Sequence, residues 1–338
     1  PAESAAGLLA MTERDGFTEA IVYDPWNPGK ELARYALVDS GSSVDVPSDY
    51  IRVEVPLRSA VVYSMVHTAA LEELGEAARV CGIADVAYLA PDDPMRARVD
   101  SGKVADVGSS MSPTLEKIVE LEPSAVLLSP MENMPVSGLS QTGIPLIYMA
   151  DYMETTPRER ARWIKFLGKL VGRSAEADSI FETAMAEYDS LCDLAAKATA
   201  RPVVITERPY SGVWYMPAAD SYKARMLADA GADFPWADIP GTGSLQLSEE
   251  AVIARGADAD FWLLNESGTF SPERLAEELP HAKAFAAFPE GVYYCNTVGT
   301  PMFREIAFHP ERMLADMVYI FHPELLPDHR LRYYQSLK

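Results

Sequence analysis

The longest regular pattern of apolar and polar positions runs from Arg173 to Ala200. There Ala177, Ile180, Phe181, Ala184, Met185, Tyr188, Leu191, Leu194 and Ala195 recur at spacings of three and four, with no Gly or Pro to interrupt them. Such spacing predicts one helix with a single apolar face. Some twenty-five helical residues would extend about 37 Å at 1.5 Å per residue, more than the flank of one compact sheet layer requires. The pattern therefore predicts a stiff rod between two halves of the chain, with a cleft between those halves.

Before the rod, Ala20–Tyr23 and Tyr35–Val38 are strand-like around the turn Asp24-Pro25-Trp26-Asn27-Pro28-Gly29. The strict alternation of Ile51–Val55 predicts a half-exposed strand. From Ser59 the pattern changes to short apolar runs separated by helical stretches. Ala60–Met65, Val104–Val107, Ala125–Leu128 and Pro145–Tyr148 are expected strands. A helix is expected from His67-Thr68 to a stop at Gly75. A second starts with Ser112 as N-cap, Pro113 in first position and Glu116 near the capping-box place. Beyond the rod the style repeats, with strands at 202–205, 212–215, 260–264 and 292–294 and helices at 221–230, 248–254 and 306–321. This alternation predicts an α/β class with two lobes, mainly parallel sheets and one long rigid linking helix. The expected division is a β-rich preface at 1–55 packed on the first lobe, an α/β lobe at 56–172, the linking helix at 173–200 and a second α/β lobe at 201–338. In such sheets ligands sit beyond the carboxyl ends of the strands.

Composition changes the picture in three respects. A length of 338 residues exceeds what one core usually serves. The formal charge of −21, without clustered Lys and Arg, argues against a nucleic-acid partner. Cys81, Cys192 and Cys295 match no metal or disulfide spacing and are expected to be buried free thiols. No apolar run reaches the length of a membrane span. The start at Pro1, followed by Ala2-Glu3-Ser4-Ala5-Ala6-Gly7, resembles the tether of a processed, exported protein.

The order of segments resembles a family: the substrate-binding proteins of ABC importers for iron complexes, haem and cobalamin, the helical-backbone class of periplasmic binding protein. Gly108, the run Thr114–Val126, Gly143-Ile144-Pro145-Leu146 and Leu167–Gly172 carry the likeness in the first half. Leu227–Ala232, Leu247–Val252 and His322-Pro323-Glu324-Leu325 carry it in the second. Ser124 stands where that pattern has Asp, and residues 11–55 lie outside it. The resemblance implies a periplasmic or extracytoplasmic protein, optionally lipid-anchored through a removed N-terminal segment. It implies no enzyme activity and no intrinsic cofactor. The partners it implies are an ABC permease dimer with its ATPase subunits and a small-molecule metal chelate: ferric siderophore first, cobalamin or haem next.

The resemblance also implies one permease-docking glutamate per lobe, and these fall on Glu116 and Glu250, with Glu249 as the competitor for the second. A carboxylate in a helix's first turn is held rigidly and favoured by the helix dipole. For the ligand, the loop ends offer Tyr63, Met65, His67, Arg208, Tyr210, Trp214, Tyr215, Trp236, Phe303 and Arg304. Aromatic walls suit stacking on a flat ligand and guanidinium forks suit anionic oxygens. Trp214 and Tyr215 occupy one strand, so only one of them can face the ligand. His67 is the one candidate for metal contact, as a helix-start hydrogen-bonder or an axial ligand to a chelate. A bare-ion site needs three or four converging ligands, and the remaining histidines, at 281, 309, 322 and 329, do not supply them.

Asp39-Ser40-Gly41 and Asp100-Ser101-Gly102 imitate aspartic-protease loops but lack matched surroundings and read as turns. Neither a Gly-x-Ser-x-Gly elbow nor a phosphate loop occurs, so any ATP hydrolysis belongs to a partner. The rival reading is a chelatase-like or metallocluster-handling enzyme on the same two-lobed plan.

Overall fold

The computed structural model describes residues 7–132 and 137–338. The chain divides into two compact units, the first comprising residues up to 154 together with 159–182, the second 155–158 together with 183–338.

The first unit begins with a four-stranded sheet of β1 (Leu9–Arg14), β2 (Phe17–Tyr23), β3 (Glu31–Asp39) and β4 (Ile51–Val55), in that order. The first three are antiparallel, and β4 runs parallel to β3. There follow β5 (Ala60–Val62), α1 (Met65–Glu73), β6 (Val80–Ile83), α2 (Pro94–Asp100), β7 (Ala105–Asp106), the short ribbon β8 (Gly108–Ser109) and β9 (Ser112–Pro113), α3 (Leu115–Glu120), β10 (Ala125–Leu128), α4 (Ser137–Ser140) and β11 (Leu146–Tyr148). The main sheet is wholly parallel in the order β11-β10-β5-β6-β7. All residues of β5 and β10 are buried, as strands covered on both faces must be. Val61, Val107, Ile118, Val126 and Leu128 share one core cluster. The first sheet joins this unit through Tyr35, whose buried hydroxyl donates to the Leu146 carbonyl and accepts from the Tyr148 amide, both at 2.9 Å.

Helix α5 (Pro157–Val171) turns into α6 (Ser174–Ala195) at Gly172, which adopts a left-handed φ of +74°. A Cβ on Gly168 would lie 2.4 Å from that of Ala177, so the two helices meet only because position 168 has no side chain. The 22 residues of α6 span about 33 Å. Ala177, Phe181, Ala184, Met185, Tyr188 and Ala195 are buried, the apolar face that the spacing predicts. The helix begins in the first unit and ends in the second.

The second unit continues with β12 (Val204–Thr206), β13 (Pro209–Tyr210), β14 (Val213–Pro217), α7 (Tyr222–Asp229), β15 (Ser244–Leu247), α8 (Glu249–Gly256), β16 (Phe261–Glu266), α9 (Pro272–Glu278), β17 (Val292–Asn296), α10 (Met302–Glu305), α11 (Pro310–Phe321) and β18 (Tyr334–Ser336). Its main sheet has the order β12-β16-β17-β18, parallel except for β18. The strands β13, β14 and β15 form a separate antiparallel sheet, so the run at 213–215 lies outside the parallel one.

Three local expectations are corrected. Helix α1 opens at Met65, capped by Ser64, whose side chain accepts from the Val66 amide. Ser112 and Pro113 are in a strand, and Thr114 is the N-cap residue of α3. The stretch 306–321 is not one helix, because Pro310 starts α11 afresh. No helix among the described residues is long and apolar enough to cross a membrane. The three cysteines are free; Cys295 is buried and the other two partly so.

Candidate functional site

In the first unit the chain winds from β5 through β6 to β7, then returns to the far side of β5 for β10 and β11. The winding reverses between β5 and β10, and the carboxyl ends of the strands there leave a crevice. A cavity of about 420 Å³ occupies it. The turn after β5 supplies Tyr63, Ser64 and Met65, and that after β6 supplies Ala84, Asp85, Tyr88 and Leu89. Ser129 and Met131 follow β10, and Tyr152 follows β11. Tyr88, 74% exposed, and the exposed Met131 and Tyr152 form its rim. The volume falls in the range of small-molecule sites, and the apolar lining with scattered hydroxyls is their usual composition.

Tyr63 is 6% exposed and its hydroxyl has no hydrogen-bond partner among the described residues. Burial pushes its ionisation upward, so it is present as O–H, a donor in want of an acceptor. Burial likewise raises Tyr152, helped by the charge of Asp151. The Tyr152 hydroxyl is engaged, donating to the Pro130 carbonyl.

His67 is not at this cavity. It is 1% exposed, and its Nε2 lies 2.8 Å from Oδ1 of the equally buried Asp151. Arg160 stands 3.6 Å from the other carboxylate oxygen. Burial alone would raise the Asp151 carboxyl, but His67 and then Arg160 outweigh it and hold it below the ordinary range. The histidine is thus a structural partner of a buried carboxylate, which corrects the expectation that it reaches a ligand's metal. Among the described residues no group of three or more His, Cys, Asp or Glu is placed to hold a metal ion.

The second unit's candidates separate by burial. Alternation along β14 sends Trp214 inward and Tyr215 outward. Trp214 is fully buried, stacked on Trp262 at 5.7 Å and beside Phe285 at 5.8 Å, with its indole N–H donating to the Thr206 carbonyl. Trp236 is buried against Phe234. Both tryptophans belong to the core and are removed from the ligand set. Arg208 is paired with Glu266, through Nη2 at 3.1 Å, and with Glu278 at 3.2 Å; its hydrogen bond to Glu266 raises its ionisation further. Its fork is therefore already occupied. Tyr210, 75% exposed, and the exposed Tyr215 and Phe303 remain at the surface, and Arg304 is partly buried in α10.

Glu116 and Glu250 are exposed, each the second residue of its helix, one in each unit. Hydrogen bonding from its own backbone amide and then from Ser248 holds the Glu250 carboxyl low. Glu249 is instead engaged with the His281 ring at 2.8 Å.

The residues that sequence reasoning missed are those after β6. The run Val80-Cys81-Gly82-Ile83 is a strand too short to stand out, and recognising it would have placed Asp85 and Tyr88 at a strand end.

The profile of the family described as periplasmic binding protein matches residues 61–295. An uncharacterized lipoprotein of Methanocaldococcus jannaschii is 25% identical over 292 residues, covering 83% of this chain and 69% of the relative. The crystal structure of a possible iron-binding, periplasmic solute-binding protein of Staphylococcus epidermidis superposes with a TM-score of 0.61 at 17% identity, over 79% of this chain and 99% of the other. The periplasmic haem-binding protein HutB of Vibrio cholerae gives 0.61 at 16% identity, over 79% and 100%. The sheet β1–β4 lies outside the profile match. With a fold shared across those structures and a profile spanning more than two thirds of its length, the chain belongs to the periplasmic binding protein family.

Proposed function

We propose that this protein is the extracytoplasmic substrate-binding component of an ABC importer, capturing one intact metal chelate and delivering it to a permease dimer driven by ATPase subunits. A ferric siderophore is the first choice, with cobalamin or haem next. The observation that carries this reading is the 420 Å³ cavity at the winding reversal of the first sheet, walled by Tyr63, Met65, Tyr88, Met131 and Tyr152. Aromatic and thioether surfaces hold a bulky coordinated metal by stacking and dispersion. The described residues provide no converging ligand set for a bare ion, which supports a cargo that brings its own ligands. The names of the solved relatives, iron-binding and haem-binding, point the same way.

Tyr210, Tyr215 and Phe303 are proposed as ligand contacts of the second unit, and Glu116 and Glu250 as the contacts to permease arginines. Binding is expected to saturate at one chelate per chain, followed by absorbance during titration with haem, cobalamin and ferric siderophores in turn. The chelate should be recovered chemically unchanged. Conversion of the chelate to a product would favour an enzyme, and no saturable binding by any of them would remove the reading.

A further inference from the structure

Among the described residues, Asp85 is the one formally charged side chain lining the first unit's cavity. Its place is fixed by the backbone. It adopts a left-handed conformation, φ 57° and ψ 35°, immediately beyond β6. Its amide donates to the Gly108 carbonyl at 2.8 Å, and its Oδ1 accepts from the Ser110 amide at 3.2 Å. Asp and Asn tolerate this conformation better than other side chains with a Cβ. Residues held in such sparsely populated regions cluster at ligand clamps. No Lys, Arg or His pairs with the carboxylate among the described residues. The same cavity is lined by Tyr63, whose buried hydroxyl has no hydrogen-bond partner among the described residues.

A carboxylate against a largely apolar wall, with no counter-charge, has a definite preference. A cation placed on it forms a charge-assisted hydrogen bond. An anion meets repulsion, and among the described residues lining this cavity there is no guanidinium or ammonium to offset it. We infer that Asp85 sets the charge of the cargo: the cavity takes a metal chelate bearing a cationic arm, such as a primary ammonium, seated on Asp85, and disfavours polyanionic chelates. Tyr63 donates its free hydroxyl to a ligand oxygen. This rests on the reading of the chain as a chelate binder and names the ligand class within it. It also divides the siderophores, favouring neutral hydroxamate cores with amine arms over trianionic tricatecholates.

The test uses one scaffold, a ferric trihydroxamate with a free primary ammonium arm, its N-acetylated neutral form and its N-succinylated anionic form. The full-length protein should bind the ammonium form about 10-fold or more tighter than the acetylated one, the scale of a hydrogen bond to a charged group, and the succinylated form most weakly. Asp85→Asn, which suits the same backbone conformation and still accepts from Ser110, should bring the three affinities within about threefold of one another. Tyr63→Phe should weaken all three alike. Equal affinities in the unaltered protein, or an unchanged ranking in Asp85→Asn, would overturn the assignment. Failure of all three while haem or cobalamin binds would overturn the assignment alone. Failure of every chelate would remove the binding reading with it.

Discussion

Replacing both Glu116 and Glu250 by lysine is expected to abolish uptake while leaving chelate affinity within about twofold of the unaltered protein. Both carboxylates are exposed in the first turns of short helices, α3 and α8, one in each unit. At that position the backbone limits where the carboxylate can go, and the helix dipole favours its charge. Glu250 is further held ionised by its own amide and Ser248, whereas Glu249 is already engaged by His281. Truncating one partner of a charge pair desolvated in an interface costs about 2–5 kcal/mol, and reversing it adds repulsion. Two such losses correspond to three or more orders of magnitude in association with the permease, at about 1.4 kcal/mol per tenfold. Uptake of labelled chelate by cells carrying the importer, set against affinity measured on the isolated protein, separates the two effects. Each single reversal should give an intermediate rate, and normal uptake by the double variant would sink the docking assignment.

His67→Ala is expected to lower stability by about 3–5 kcal/mol, because it leaves Asp151 as a buried charge whose remaining cationic partner among the described residues is the more distant Arg160. Urea unfolding measures this, and the bound chelate's absorbance spectrum should be unchanged. The pH dependence follows from sign. The folded-state carboxyl of Asp151 titrates below its unfolded value, so its contribution is complete above about pH 4 and is lost as pH falls through the folded value. That loss should be smaller in His67→Ala. Near-normal stability together with an altered chelate spectrum would instead make His67 a ligand to the metal.

The parts of the fold that were legible are those with repetition. The apolar face of α6 recurs over six turns, and the buried strands β5 and β10 are unbroken apolar runs between helical patterns. The strand β6 was missed because four residues with a glycine carry little signal. Yet a Cβ at Gly82 would crowd Leu121 at 2.9 Å, Val107 at 3.0 Å and Val61 at 3.2 Å, so close packing favours the residue that hides the strand. The start of α11 was marked by Pro310, but the apolar periodicity reads straight through it. Gly168 and Gly172, by contrast, were picked out with their segment, and the helix approach and the left-handed turn explain why that segment keeps them.

The site was less legible than the fold. Trp214, Trp236 and Tyr215 have the same appearance in a sequence, and only burial assigns the first two to the core and the third to the surface. The partner of His67 stands 84 positions away, beyond any local pattern. Asp85 offers no motif; its place depends on a left-handed turn that Gly would ordinarily mark.

The most direct test of where the chelate sits is to fill the first unit's cavity. Ser129, partly buried at its wall after β10, can be replaced by Trp, and chelate titrations of this variant compared with the unaltered protein. With unfolding transitions matched, affinity should fall about 100-fold or more, since the added indole occupies space the ligand requires. Binding by Ser129→Trp as tight as by the unaltered protein would contradict the assignment of this cavity as the cargo site.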